Sequence, residues 1–159
     1  MLEFKVEPDT QTVRELSPTR GDYSHAWVGS PSYQMSSNIL GVRPLTPGFA
    51  TFAIRPTTCG LSFAKGVVPS PHGDIQVDWE VKDRVFRLKT IVPANTSAVV
   101  SLPVGTVAQP TLKVGGKVLW SGGKIQGDLT GCSGLTHRGD RLALTVAPGE
   151  YQMEVGNAE

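Results

Sequence analysis

One stretch of this 159-residue chain combines side chains that could bind a ligand. Within Tyr-Ser-His-Ala-Trp-Val-Gly-Ser-Pro-Ser-Tyr, residues 23–33, His25 and Trp27 are two positions apart, directly before a helix-start signal at Ser30. An imidazole can donate or accept a hydrogen bond to a hydroxyl group or a water molecule, and an indole offers a flat apolar surface. On residue type alone, His25 is equally consistent with a surface loop histidine, and Trp27 with core packing.

A carboxylate that could transfer a proton lies upstream of this pair. Glu3 precedes His25 by 22 positions (25 − 3) and sits between Leu2 and Phe4. A carboxylate within reach of a water molecule can act as a general base, whereas an exposed N-terminal glutamate needs no special role. Asp74, Asp78 and Glu80 are too close together on one predicted strand to form an acid–base pair.

Two adjoining strings carry a resemblance to a known family. His-Ala-Trp at 25–27 and Ile-Leu-Gly-Val-Arg-Pro-Leu-Thr-Pro-Gly-Phe at 39–49 resemble the end of the catalytic barrel of α-L-rhamnosidases, glycoside hydrolase family 78. Lys-Gly-Val-Val-Pro-Ser-Pro-His-Gly at 65–73 resembles the first hairpin of that family's C-terminal sandwich. The resemblance implies inverting hydrolysis of terminal α-L-rhamnose, with Glu3 as the general base and with His25 and Trp27 binding the sugar. It gives Arg43 a structural role.

The same resemblance implies that most of the catalytic barrel, including the general acid, lies outside this chain. Residues 1–45 are then the remnant of an (α/α)6 barrel, and residues 46–156 are the C-terminal β-sandwich domain. The chain is expected to be a fragment or subunit of a rhamnosidase that acts on a rhamnose-containing glycoside when the barrel is supplied. The alternative is an accessory sandwich module with a structural or weak carbohydrate-binding role.

The elements that would hold these residues are mostly strands. Pro8, Pro18 and Gly21 interrupt residues 1–23, which are predicted to be a loop. Ser30-Pro31 starts a helix of two to three turns that Gly41 can end. That helix is too short to be stable alone, so we expect four side chains either to pack on the sandwich or to stay exposed: Trp27, Tyr33, Ile39 and Leu40.

After residue 48 the pattern changes to short strands with alternating apolar side chains. The predicted strands cover 49–54, 61–68, 75–81, 85–92, 97–102, 112–120 with a Gly115-Gly116 turn, 142–146 and 151–155. Residues 121–140 are rich in glycine and serine and are predicted to be a long loop. This spacing is typical of an antiparallel β-sandwich, so the fold class is mostly β with one short helix.

Composition excludes several function classes. With 15 basic and 14 acidic residues the net charge is +1, which gives no reason to expect nucleic acid or a membrane as a partner. No metal-ligand spacing occurs, and no cofactor is expected. Cys59 and Cys132 can pair or can both be free. The first residues lack a signal-peptide pattern, and the compartment is left open.

Overall fold

A computed structural model of the chain describes residues 5–6, 13–14, 30–105, 107, 109–128 and 131–157. The chain divides into two compact units, Met1–Met35 and Ser36–Glu159. The second unit includes Leu40 and Val42 in its core, so it begins upstream of the boundary predicted between residues 45 and 46. The assignment of residues 1–45 to the end of a barrel stays a prediction.

The first unit contains one antiparallel strand pair and the start of the helix. Strands β1 (Lys5–Val6) and β2 (Val13–Arg14) pair within the segment that was predicted to be a loop. Helix α1 (Ser30–Gln34) begins at the predicted Ser30-Pro31 signal. A π-helical segment, Met35–Ile39, continues it, and Gly41 follows with a φ of +76°. The predicted helix start and glycine end are therefore confirmed.

The larger sheet of the second unit has seven strands, and all its pairings are antiparallel. Its order is β11-β10-β9-β14-β7-β6-β5. The strands are β5 (Phe63–Ser70), β6 (Gly73–Lys82), β7 (Val85–Val92), β9 (Pro110–Val114), β10 (Lys117–Ser121), β11 (Lys124–Ile125) and β14 (Gly149–Asn157). The predicted Gly115-Gly116 turn joins β9 to β10, and both glycines have positive φ, as a tight hairpin requires.

The smaller sheet has five strands in the order β12-β13-β8-β4-β3. They are β3 (Val42–Pro44), β4 (Thr51–Ile54), β8 (Ser97–Pro103), β12 (Cys132–Arg138) and β13 (Arg141–Val146), and a 3-10 turn at Pro47–Phe49 separates β3 from β4. Strand β4 pairs with β8 in parallel, and the other pairings are antiparallel. The mostly β sandwich is confirmed, with this one departure from the antiparallel pattern.

The prediction of a long loop over residues 121–140 was wrong. Strands β11 and β12 form there, each at the outer edge of its sheet. In β12 only Leu135 is buried, Gly134 has a φ of +62°, and the pairing with β13 shifts register between Ser133 and Thr136. A β-bulge interrupts the two-residue alternation, so the strand lacks the sequence pattern by which strands are predicted.

The core lies between the two sheets and is built from the alternating inner side chains. Ile75, Val77 and Trp79 from β6 are all at most 1% exposed, as their predicted alternation requires. The Trp79 ring stacks on Phe86 with ring centres 5.7 Å apart. On β10 a register shift between Val118 and Trp120 marks a bulge. The indole Nε1 of Trp120 is buried and has no hydrogen-bond partner among the described residues.

Both cysteines are free thiols in different surroundings. Cys59 is exposed, whereas Cys132 is partly buried and burial raises the pKa of its thiol. The thiolate is the reactive form, so we expect Ellman's reagent at pH 8 to label Cys59 at least about ten times faster than Cys132. Cys59→Ser should remove the fast phase alone. A single fast phase from both thiols would contradict the partial burial of Cys132.

Candidate functional site

The three residues predicted to act on a sugar lie outside the described part of the chain. Glu3, His25 and Trp27 therefore keep their roles as predictions. The structure describes the chain again from Ser30, and the compact unit that contains the sandwich begins at Ser36, eleven positions after His25 (36 − 25). The contacts of the segment that begins there show whether the sandwich holds the part of the chain that follows the predicted site residues.

A buried tryptophan attaches this segment to the larger sheet. Trp79 is 0% exposed, and its indole Nε1 donates a hydrogen bond of 2.9 Å to the backbone oxygen of Ile39. Ile39 ends the π-helical segment, where backbone carbonyls lack partners within the helix. The indole therefore satisfies one of these carbonyls from the core, and Ile39 and Leu40 pack against the sandwich rather than staying exposed.

An arginine holds the same segment from the smaller sheet. Arg43 Nε donates a hydrogen bond of 2.9 Å to the backbone oxygen of Ser37, and Arg43 Nη2 donates to Oδ1 of Asn38. The backbone nitrogen of Thr57 donates to the backbone oxygen of Asn38 at 3.0 Å. This geometry agrees with the structural role expected for Arg43.

Glycine at position 41 allows the chain to enter β3. The backbone nitrogen of Arg55 donates a hydrogen bond of 2.9 Å to the oxygen of Gly41, which brings the two backbones together. A β-carbon at position 41 would overlap the carbonyl carbon and oxygen of Arg55. A φ of +76° also disfavours any other residue there.

Carboxylates on the larger sheet are paired with cations on its outer face. Asp78 lies 3.6 Å from Lys65. Arg87 lies between two carboxylates, 3.4 Å from Glu80 on one neighbouring strand and 3.2 Å from Glu154 on the other. Such solvent-exposed pairs contribute about 0–1 kcal/mol each. They cross-link neighbouring strands and form no arrangement suited to acid–base catalysis.

Four surface clefts among the described residues lack any acidic side chain in their walls. The largest, about 580 Å³, opens at one end of the sandwich beside Val81, Phe86 and Val104. A cleft of about 420 Å³ is different, because three of its nine lining residues are the arginines Arg43, Arg55 and Arg141. Arg55 and Arg141 were not among the functional residues predicted from the sequence. Arg141 lies 98 positions after Arg43 (141 − 43), and no local pattern connects them.

Neither a membrane-spanning helix nor a metal site was found in the described part of the chain. No helix there has the length and hydropathy to span a bilayer. No group of three or more His, Cys, Asp or Glu side chains there is placed to hold a metal ion.

Comparison with known proteins identifies the sandwich. Residues 41–117 match the family described as bacterial alpha-L-rhamnosidase C-terminal domain. An alpha-L-rhamnosidase of Alteromonas sp. (strain LOR) is 41% identical over 76 residues, covering 47% of this chain and 8% of the relative. One from Formosa agariphila is 24% identical over 133 residues, covering 83% of this chain and 13% of the relative.

Solved structures show the same architecture. An alpha-L-rhamnosidase from Dictyoglumus thermophilum superposes with a TM-score of 0.71 at 22% identity, over 90% of this chain and 16% of that one. The Streptomyces avermitilis alpha-L-rhamnosidase complexed with L-rhamnose superposes with a TM-score of 0.66 at 22% identity, over 94% of this chain and 13% of that one. At this identity the likeness shows the fold.

The fold therefore defines a two-sheet β-sandwich domain of the type found in these large glycosidases. Over residues 41–117 the chain matches the C-terminal domain of bacterial alpha-L-rhamnosidases, and alpha-L-rhamnosidases are its relatives in sequence and in fold. It spans about a tenth of the length of the curated relatives that it matches.

Proposed function

We propose that this chain is a fragment or subunit of an α-L-rhamnosidase. With a complete catalytic barrel, that enzyme hydrolyses terminal α-L-rhamnose from glycosides by inversion. The observation that carries the proposal is the attachment of residues 36–44 to the sandwich. Trp79 holds Ile39 from one sheet and Arg43 holds Ser37 from the other. Because these contacts follow Glu3, His25 and Trp27 in the chain, the sandwich fixes the downstream end of the segment that carries the predicted site.

The proposed chemistry divides between this chain and the barrel. Inversion needs a carboxylic acid on one side of the glycosidic bond and a carboxylate base that activates water on the other side. Glu3 supplies the base, His25 holds a sugar hydroxyl or the attacking water, and Trp27 packs against the apolar face of the 6-deoxy sugar. The resemblance places the acid in a barrel loop upstream of Glu3.

A second candidate function is a non-catalytic accessory role for the sandwich. It is favoured by the acid-free walls of the four clefts, since a hydrolytic site needs two carboxyl groups facing one sugar. The contacts of Trp79 and Arg43 support the structural form of this role. In that case the sandwich contributes stability to the segment before it and no group to the reaction.

Release of nitrophenol from nitrophenyl α-L-rhamnoside tests whether this chain supplies the general base and the barrel supplies the general acid. The 159-residue chain alone is expected to release none, because it supplies a base without an acid. A longer protein that adds the upstream barrel should be active, and Glu3→Gln should reduce its rate by at least about 100-fold, as expected for loss of a general base.

Glu154→Gln is the matched control, because it makes the same change at an exposed carboxylate on the outer face of the sandwich. It should leave the rate of the longer protein unchanged. Equal activity of the Glu3→Gln and unmodified longer proteins would contradict the role given to Glu3. Turnover by the 159-residue chain that Glu3→Gln abolishes would instead make this chain an enzyme without the barrel.

A further inference from the structure

Three arginines surround the cleft of about 420 Å³ on the outer face of the smaller sheet. Arg43 belongs to β3, Arg55 directly follows β4, and Arg141 begins β13. Arg43 lies opposite Ala53 in the strand pairing, so Arg55 is its diagonal neighbour on the same face. The small side chain of Ala53 lines the cleft between them and leaves room for a ligand.

Backbone carbonyls hold two of the three guanidinium groups in place. Arg141 Nη1 donates to the oxygen of Ser101 and Nη2 to the oxygen of Pro56, both at 2.9 Å. Arg43 is held in the same way by the oxygen of Ser37. A neutral carbonyl orients a guanidinium without cancelling its charge, and each guanidinium has five N–H groups, so donors remain for a further acceptor.

Among the described residues, no carboxylate forms an ion pair with this group of cations. In the described part of the chain, none of the three arginines lies within 4.0 Å of a carboxylate. The remaining residues that line the cleft are all uncharged: Ser37, Asn38, Pro44, Leu45, Ala53 and Thr57. Burial lowers the pKa of Arg141, and the positive charge of Arg55 lowers it further, while Asp140 has a smaller opposing effect. Arg87 on the larger sheet shows the contrast, since it has two carboxylate partners.

We propose that the cleft between Arg43, Arg55 and Arg141 binds an oxyanion, namely a carboxylate or sulfate group, either as a free ion or carried on a sugar. Guanidinium groups suit this ligand because their planar N–H pairs match two oxygens of one anion. The cleft volume is within the range of small-molecule sites, so it can accept a sugar ring together with its acidic group. This site is independent of Glu3, His25 and Trp27, and it does not rest on rhamnosidase activity.

Calorimetric titration of the purified chain with sodium sulfate, sodium glucuronate and glucose tests the proposal. Sulfate and glucuronate are expected to bind saturably at low ionic strength, with affinity that falls as sodium chloride is added. Arg55→Gln should weaken binding by about tenfold or more, because it removes a charged donor. No hydrogen bond of the Arg55 side chain is seen in the described residues, so this variant should keep the fold.

Arg87→Gln is the matched control, since it removes one arginine charge from the opposite sheet. It should leave the affinity unchanged. Tighter binding of glucuronate than of sulfate would identify an acidic sugar as the ligand, and equal binding would identify the anion alone. The proposal is overturned if neither anion binds, if glucose binds as well as glucuronate, or if Arg87→Gln weakens binding as much as Arg55→Gln.

Discussion

Replacing Trp79 with alanine is expected to lower the free energy of unfolding by about 3–5 kcal/mol, the usual cost of deleting a buried aromatic side chain. The ring is fully buried, it stacks on Phe86, and its Nε1 is the donor to the oxygen of Ile39. The variant loses packing in the core and also the hydrogen bond to the end of the helical segment. Denaturant unfolding followed by circular dichroism measures the change.

Trp79→Phe separates the hydrogen bond from the packing. It keeps an aromatic ring but leaves the oxygen of Ile39 without its donor, so we expect a loss of about 1–3 kcal/mol on that account. Trp120→Phe is the matched control, because the Nε1 of Trp120 has no hydrogen-bond partner among the described residues. It should cost clearly less. Equal losses in the two phenylalanine variants would show that the bond from Trp79 to Ile39 contributes nothing to stability.

Strands with regular alternation could be predicted from the sequence. Ile75, Val77 and Trp79 alternate with polar residues, and β6 places all three in the core. The return strand over 85–92 has the predicted bounds, and Gly115-Gly116 forms the predicted turn. In each case the signal is local, since one buried face requires an apolar residue at every second position.

Features that depend on distant residues could not be predicted in this way. Strand β12 has a single buried side chain and a bulge, so its identity as a strand depends on its pairing with β13. The parallel pairing of β4 with β8 depends on how the sheet assembles, which neither strand encodes alone. The two-residue strands β1 and β2 are too short for any period to be visible.

The same distinction applies to the candidate sites. Glu3, His25 and Trp27 were identified because strings of neighbouring residues resemble a family, and this part of the prediction is not tested by the described residues. The group formed by Arg43, Arg55 and Arg141 has no such string, because the side chains come together from β3, from the residue after β4 and from β13. This group of arginines could therefore be identified only from the three-dimensional structure.

Replacing Gly41 with alanine is expected to lower the free energy of unfolding by about 2–5 kcal/mol, the sum of backbone and steric costs. The φ of +76° disfavours every residue with a β-carbon. The new methyl group would also overlap the carbonyl of Arg55, so β3 and the backbone after β4 would have to separate. Thermal and denaturant unfolding measure the loss.

Gly48→Ala is the matched control for the steric part of this cost. Gly48 has a similar φ of +70°, but no atom lies within 4 Å of the position that its β-carbon would take. It should therefore cost only the backbone term, about 1–2 kcal/mol. The difference between the two variants measures how tightly β3 must approach Arg55. If both alanine variants lose the same stability, the close approach is not needed, and residues 36–44 are not fixed to the sandwich at Gly41.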